Sequence, residues 1–572
     1  MNKASVSQWL EVLQGTVLDG FLSEAYGVDA CDAWKAHYIQ ALNLFKDRYG
    51  SQGDVVIARC PGQMNLMGMH IDYGGMPSVR IAVRGSDTLT IARVRDDGIV
   101  RFASHLEYQE EAVDRFEPFE LQLAELVPSE CVSTREALMH YAGQVCQRRL
   151  EETGSAQDHH WSVLVAGQLV YLESYFRARQ TFCGMDALVW SNVSPSGGMS
   201  SSSALVISTA CAALGVNDLR PREDLPESDL VDGVGTSEWI RGTRGGTADH
   251  GGMVMGRSGQ LVGVGVFPAV ATGAAPLPES YLAIVLDTGV PRVYDESVKE
   301  ETVVAYPLGT FYVRDRLLPA FQGEQEFRGL CSDWRDTIGM IRDISEERLG
   351  LSPQAIYRLL EAMPTQTTLR EMATEAEENG VGDAYKHMYE SEITGKFQAL
   401  DDDTPIYLRR RFAFGLAEQD RVRYVLEYLS EGDMATALEL ARISHFGDFD
   451  REVEQSELAS LSQLADAGDH RGRLCFLPGG YGRMTPEYDL AVRRVNEYLI
   501  ETGGLEAGAV QRLGAGWGGN MGGLIHRDYI YGTGRYPFAR FLADELGIEG
   551  PIERCVATPG RGAGLVDLPR ED

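Results

Sequence analysis

Two stretches of this chain carry residues whose types and spacing suit the handling of phosphate. The run Gly198-Met-Ser-Ser-Ser-Ser203 follows Leu188-Val-Trp-Ser-Asn-Val193, which reads as a strand. It precedes an apolar stretch, Ser203 to Leu214, that reads as a helix closed by Gly215. A strand, a glycine-rich turn and a helix opening on serines would gather backbone N–H groups and the positive end of a helix dipole around an anion. That geometry suits nucleotide phosphates, and a serine hydroxyl can also ligate magnesium. Taken alone, the same segment is equally well explained as a flexible turn with an N-cap. The second stretch is Glu238-Trp-Ile-Arg-Gly-Thr-Arg-Gly-Gly-Thr-Ala-Asp249-His250. An aspartate closing a glycine-rich turn can accept the proton of a substrate hydroxyl while phosphate transfers, and a carboxylate about a dozen residues earlier can hold a magnesium ion.

Two more stretches are rich in glycine and polar residues: Cys60-Pro-Gly-Gln-Met-Asn-Leu-Met-Gly-Met-His-Ile-Asp-Tyr73, and Leu513-Gly-Ala-Gly-Trp-Gly-Gly-Asn520. With the serine run they make three signatures, in an order that resembles the GHMP small-molecule kinases, and galactokinase in particular. In the first, Pro61, Gly62, Asn65, Leu66, Gly68, His70, Asp72 and Tyr73 stand in register with the galactokinase stretch Ala-Pro-Gly-Arg-Val-Asn-Leu-Ile-Gly-Glu-His-Thr-Asp-Tyr. The resemblance implies that Asp72 clamps sugar hydroxyls with His70 beside it. It makes Pro195, Gly197, Gly198, Met199 and Ser200 to Ser203 the phosphate loop, with Gly516 of the third signature packed beside it. Ser201, Ser202 and Glu238 become magnesium ligands and Asp249 the catalytic base. The spacing before Gly198 and that between Glu238 and Asp249 are each one residue short of the family pattern, and His250 replaces a glutamine.

Two departures fall where the chemistry is sensitive. Gln63 stands in place of an arginine that, in galactokinases, lowers the cost of deprotonating the anomeric hydroxyl. Met69 stands in place of a glutamate that contacts the sugar C6 hydroxyl. Either Arg80, Arg84, Arg241 or Arg244 supplies the missing cation, or turnover is slow. Loss of the carboxylate at 69 opens the site to 6-deoxy sugars, pentoses or uronic acids.

The remaining sequence must position these groups. A chain of 572 residues suits two domains or more. Trp9, Leu10, Val12 and Leu13, then Tyr38, Leu42 and Phe45, mark a helical extension over residues 1–50. Val55-Val-Ile-Ala58 reads as a strand entering a turn at Pro61-Gly62, and the Ala-, Gly- and Pro-rich stretch Ala269 to Pro278 as a domain boundary. The expected organisation is therefore an extension (1–50), a nucleotide- and sugar-binding domain (51–275) and a C-terminal domain (276–572). By resemblance the fold class is α+β, a two-domain GHMP kinase fold: an N-terminal domain like ribosomal protein S5, a ferredoxin-like C-terminal domain, and the helical extension.

The formal charge of −32 speaks against a nucleic-acid partner. Only six of the 52 basic residues are lysines, and none lies in the three signatures, so phosphate contacts there fall to backbone amides, hydroxyls or arginine. Nine scattered cysteines, with no Cys-x-x-Cys pair, suit a reducing compartment. With no signal pattern and no spanning apolar run, a cytoplasmic protein without a membrane partner is expected. The reading is an ATP- and Mg2+-dependent sugar kinase acting at the anomeric hydroxyl. The alternatives are a galactokinase relative that binds sugar and nucleotide with weakened turnover, and a kinase of a non-sugar alcohol.

Overall fold

A computed structural model describes residues 3–568 apart from 109–110, 114–115, 194–197, 243–244, 395–396, 398 and 515. The chain folds into two units, and neither is continuous in sequence. The first comprises Met1–Asn65, Arg80–Leu277 and Ala557–Asp572; the second comprises Leu66–Val79 and Pro278–Val556. The segment 557–572, expected within the C-terminal domain, thus returns to the first unit.

In the first unit a mixed sheet is built on β1 (Asp54–Met67), β2 (Ser78–Arg95), β3 (Ile99–Tyr108) and β4 (Gly184–Ser191), in the order β1-β2-β4-β3. β2 and β4 run antiparallel, with Ile91 opposite Leu188, whereas β3 and β4 run parallel. Every residue of β1 after Asp54 is buried, because helices cover both faces. Val56, Ala58 and Cys60 face one core with the Ser162–Phe176 and Ser201–Val216 helices. Val55 and Ile57 face another, formed by the helices Val6–Gln14, Asp19–Tyr26 and Cys31–Tyr49. A strand buried on both faces shows no polar alternation, hence the unbroken Val-Val-Ile-Ala run. Trp9 is fully buried against this face and donates its indole N–H to the Val55 carbonyl at 3.1 Å. Burying a ring of that size contributes on the order of 3 kcal/mol, so the N-terminal helices form part of the first unit's core.

Two local expectations need correcting. β1 does not turn at Pro61-Gly62 but runs on to Met67. Its edge changes partner there: Gly564–Leu565 pairs with Ala58–Arg59, and beyond the proline Gln63 N–H donates to the Met199 carbonyl at 3.2 Å. Proline, lacking a donor, suits the changeover. Gly215 is no helix cap; the helix ends at Val216 and Asn217 caps it. A Cβ on Gly215 would stand 3.0 Å from Leu565, so the glycine admits the returning tail. The expected boundary stretch Ala269 to Pro278 does contain the division of the units, at Leu277–Pro278, and most of it forms strand β6 (Val270–Pro276), paired with β5 (Gln260–Gly265).

In the second unit a three-stranded antiparallel sheet is ordered β7-β9-β8, from β7 (Tyr281–Asp287), β8 (Gly508–Arg512) and β9 (Asn520–His526). The Pro486–Gly503 helix packs on it through Tyr488, Val492, Val495 and Leu499. No helix among the described residues is long and apolar enough to cross a membrane.

Candidate active site

Four elements of the first unit bring four polar side chains into a closed ring. Gln63 comes from β1, Arg80 from β2, Ser200 from the turn before the Ser201–Val216 helix, and Asp249 from the first turn of the Ala248–Met255 helix. The Arg80 guanidinium donates to the Gln63 carbonyl oxygen at 2.8 Å and to Asp249 Oδ1. Ser200 Oγ donates to Asp249 Oδ2, and the Gln63 amide donates to Ser200 Oγ at 3.2 Å, closing the circuit. Gly252, one turn beyond Asp249, lets the helix lie directly over Arg80, where a Cβ would come within 2.9 Å of the arginine Cδ.

The ring sets the state of the carboxylate. Burial pushes the Asp249 carboxyl up, but the Arg80 guanidinium, the Ser200 hydroxyl and His250 together outweigh it and hold it below its ordinary value. Arg80 is 4% exposed by side chain and Asp249 36%, so a buried cation stands behind an accessible anion. Ser200 occupies the left-handed region, φ 57° and ψ 62°, at a cost of about 1–2 kcal/mol for a non-glycine residue. A hydroxyl bond to a carboxylate, worth ~1.5–3 kcal/mol, offsets that strain. The serine therefore serves Asp249 rather than the helix, to whose N-terminus its side chain makes no capping hydrogen bond.

That leaves the first-turn amides of a 16-residue helix for another acceptor, with Ser201 and Ser202 partly exposed and Ser203 buried. An anion fits there on backbone and dipole grounds. Pro195 and Gly197 lie outside the described residues; Gly198 and Met199 lead into the helix, Gly198 at φ +72°. Glu238 opens the short turn Glu238–Arg241, and its Oε1 meets His250 Nε2 at 3.0 Å. Glu238 Oε1 can only accept, so His250 Nε2 donates in this contact, while Nδ1 is buried without a hydrogen-bond partner. Glu238, Ser201 and Ser202 are all oxygen donors, the class magnesium takes. Among the described residues no cluster of three His, Cys, Asp or Glu side chains could hold a metal by itself. Such a donor set fits an ion completed by water and phosphate oxygens.

The rest of the first signature belongs to the second unit. Gly68 and Met69 donate their N–H groups to Glu418 Oε1 at 2.9 and 3.3 Å, and the Met69 side chain is buried. His70 takes φ +65° and lies flat on Tyr481, ring centroids 5.0 Å apart. Its Nε2 lies 3.5 Å from Asp448 Oδ2, which also meets Arg512 Nε at 2.8 Å, and its Nδ1 lies 3.4 Å from Arg483. Burial drives the His70 imidazole down to about 4; Asp448 opposes this, while Arg483 and Arg512 add to it. With a side chain 3% exposed, His70 is committed to these neighbours. Asp72 is partly exposed at the start of the turn Asp72–Gly74, and Gly516 packs against Asp448 and Arg483. Gln63, Ser200 and Asp249 therefore meet in one unit, while Met69, His70, Asp72 and Gly516 lie in the other. Sequence reading missed Arg483, whose guanidinium sits over Tyr73, Tyr481 and Trp517. The turn Gly479-Gly-Tyr-Gly-Arg483 was its one visible signal.

Residues 43–93 match the galactokinase galactose-binding signature, and residues 164–257 match the GHMP kinases N-terminal domain. In these two segments the chain is similar to galactokinases and, more broadly, to GHMP kinases. It is 25% identical to the galactokinase of Candida parapsilosis over 256 residues, 44% of each chain. It is 24% identical to that of Schizosaccharomyces pombe over 250 residues, 43% of this chain and 42% of the relative. These alignments thus span less than half the length of either relative. Among solved structures, Lactococcus lactis galactokinase complexed with galactose superposes with a TM-score of 0.56 at 16% identity, covering 92% of this chain and 99% of that one. The shared fold is that of a GHMP kinase.

Proposed function

We propose that this chain is a sugar kinase that transfers the terminal phosphoryl group of ATP to the anomeric hydroxyl of a monosaccharide. The observation that carries the reading is the ring around Asp249: an ionised, partly exposed carboxylate, fixed at both oxygens, on the unit that also presents a helix N-terminus to which Ser200 gives no side-chain cap.

Asp249 accepts the proton of the attacking hydroxyl, and its two ring partners keep it aimed as the O–H bond weakens. The first-turn amides of the Ser201–Val216 helix take the phosphate oxygens. Glu238, Ser201 and Ser202 would hold Mg2+, which offsets phosphate charge when bound. His250 keeps Glu238 oriented through the 3.0 Å contact. Asp72 is the sugar clamp in this reading, and the apolar Met69 removes a carboxylate from the C6 side. Sugars with a 6-deoxy group, no C6 or a C6 carboxylate are the preferred class. The binding-only alternative rested on Gln63; with Arg80 bonded to Asp249, a neutral residue at 63 does not leave the carboxylate without a cation.

The test is ADP release with ATP and Mg2+ across hexoses, pentoses, 6-deoxy sugars and uronic acids, with product NMR locating the phosphate. Sugar-dependent release with a 1-phosphate product supports the proposal, and no release with any sugar overturns it.

A further inference from the structure

We propose that Arg80 is the positioning residue for Asp249, delivering from β2 the fixed positive charge that the neutral Gln63 on β1 cannot, with Gln63 as its seat. The proposal rests on the kinase reading for its rate effects, but the charge pair itself stands on geometry. Side chains at 63 and 80 come from neighbouring strands and meet tip to tip at 2.8 Å, so a guanidinium rooted on either strand could reach Asp249. The other arginines considered lie elsewhere or are not described. Arg84 lies against the Gly560 backbone, and its Nη1 is 3.3 Å from where a Cβ on Gly27 would stand. Arg241 faces His159 Nδ1 at 3.5 Å. Arg244 is outside the described residues.

Gln63 is suited to the seat. Its carbonyl oxygen accepts from Arg80 and its amide nitrogen donates to Ser200, so one neutral side chain bridges the cation and the hydroxyl that both address Asp249. A glutamate there would compete for the guanidinium, and a lysine or arginine could not accept from it. Further neighbours leave the pair intact: Gly252 brings no side chain, and His250, next in the chain, turns to Glu238. The charge has moved one strand over, and a neutral hydrogen-bonding residue holds it in place.

The test exchanges the two residues. Arg80→Gln should lower kcat by ~10²–10³-fold, on the scale of one preorganised electrostatic contact. It should also move the acid limb of the pH–rate profile to higher pH, as expected when a carboxylate loses an adjacent arginine. Arg80→Lys should retain part of both. The double variant Gln63→Arg/Arg80→Gln restores one cation and one amide, and it should recover most of the rate and the acid limb. A merely structural arginine would show no such rescue. If the double variant, folded by circular dichroism, is as slow as Arg80→Gln, the proposal is overturned. A thermal-stability cycle between Arg80→Gln and Asp249→Asn needs no turnover. Coupling supports the charge pair even if no sugar is phosphorylated, in which case the kinase reading alone fails; zero coupling rejects the pair.

Discussion

Gln63→Arg separates a missing cation from a relocated one. If the site lacked its cation, the substitution would supply it and kcat would rise. With Arg80 already beside Asp249, the opposite is expected. Gln63 is buried and bonded through both ends of its amide. Arginine has donors only, so Arg80 loses an acceptor at a cost of ~1–3 kcal/mol for a buried donor. Two guanidiniums then lie within roughly 4 Å, where like charges repel by up to about 4 kcal/mol at an effective dielectric of 20. Asp249 attracts both and returns part of this, though its 36% exposure means solvent screens that attraction. A net loss of ~2–4 kcal/mol remains, or roughly 5–10 °C in Tm for a unit of this size. Shared between two cations, the carboxylate also becomes a poorer base, and kcat should fall about 10-fold or more. Circular dichroism melts and coupled ADP release measure the two effects. A higher kcat with an unchanged Tm would refute the reasoning, because it would mean that Arg80 leaves the place open.

Two other perturbations test parts of the fold. Burial pushes the Asp420 carboxyl up to about 7, with the Cys475 N–H, Arg421 and Arg473 opposing and Glu346 adding. The folded state therefore holds a proton that the unfolded chain releases near 4, and stability falls as pH rises between these values. Asp420→Asn keeps an acceptor for the Cys475 N–H, 2.9 Å away. It should gain about 1–2 kcal/mol over wild type between pH 4 and 8 after allowance for partial exposure; a Tm difference independent of pH would refute this. Deleting residues 557–572 removes bonds to all three elements that carry Gln63, Arg80 and Asp249. These are Val566 to Ile57 on β1, Gly560 to Ala82 on β2, and Ala563 to Met253 on the Ala248–Met255 helix. Buried Arg59 would also lose its acceptors at Arg561 and Gly562. Tm should fall and hydrogen exchange rise in β1 and β2, whereas exchange unchanged from the full chain would show that the tail does not brace the ring.

The signatures were legible because each is local. A glycine-rich turn, a serine run opening a helix, and an aspartate at a helix start declare themselves in consecutive residues. The two-faced burial of β1 was legible as an unbroken β-branched run. Arg80 could only be one of four candidates, because nothing in consecutive residues says which arginine on a neighbouring strand reaches position 63; β-sheet pairing decides that. The same non-locality hid Arg483 and the return of the tail, whose contacts with β1 span some 500 residues. Gly215 misled because glycine at a helix end commonly caps, whereas here it makes room for Leu565. His70 reads as a site residue in its motif, yet in the structure Asp448, Arg512, Arg483 and Tyr481 take up its surface.

The central claim is that Asp249 takes the proton as phosphate transfers to a sugar hydroxyl. Its most direct test is single-turnover transfer from γ-labelled ATP to the best monosaccharide, comparing wild type with Asp249→Asn at matched nucleotide occupancy. Asparagine keeps the shape and one acceptor of the ring while removing the base. The expected result is a labelled sugar 1-phosphate from wild type and a rate ~10²–10⁴-fold lower in the variant, with ATP affinity nearly unchanged. Wild-type rates from Asp249→Asn would contradict the account.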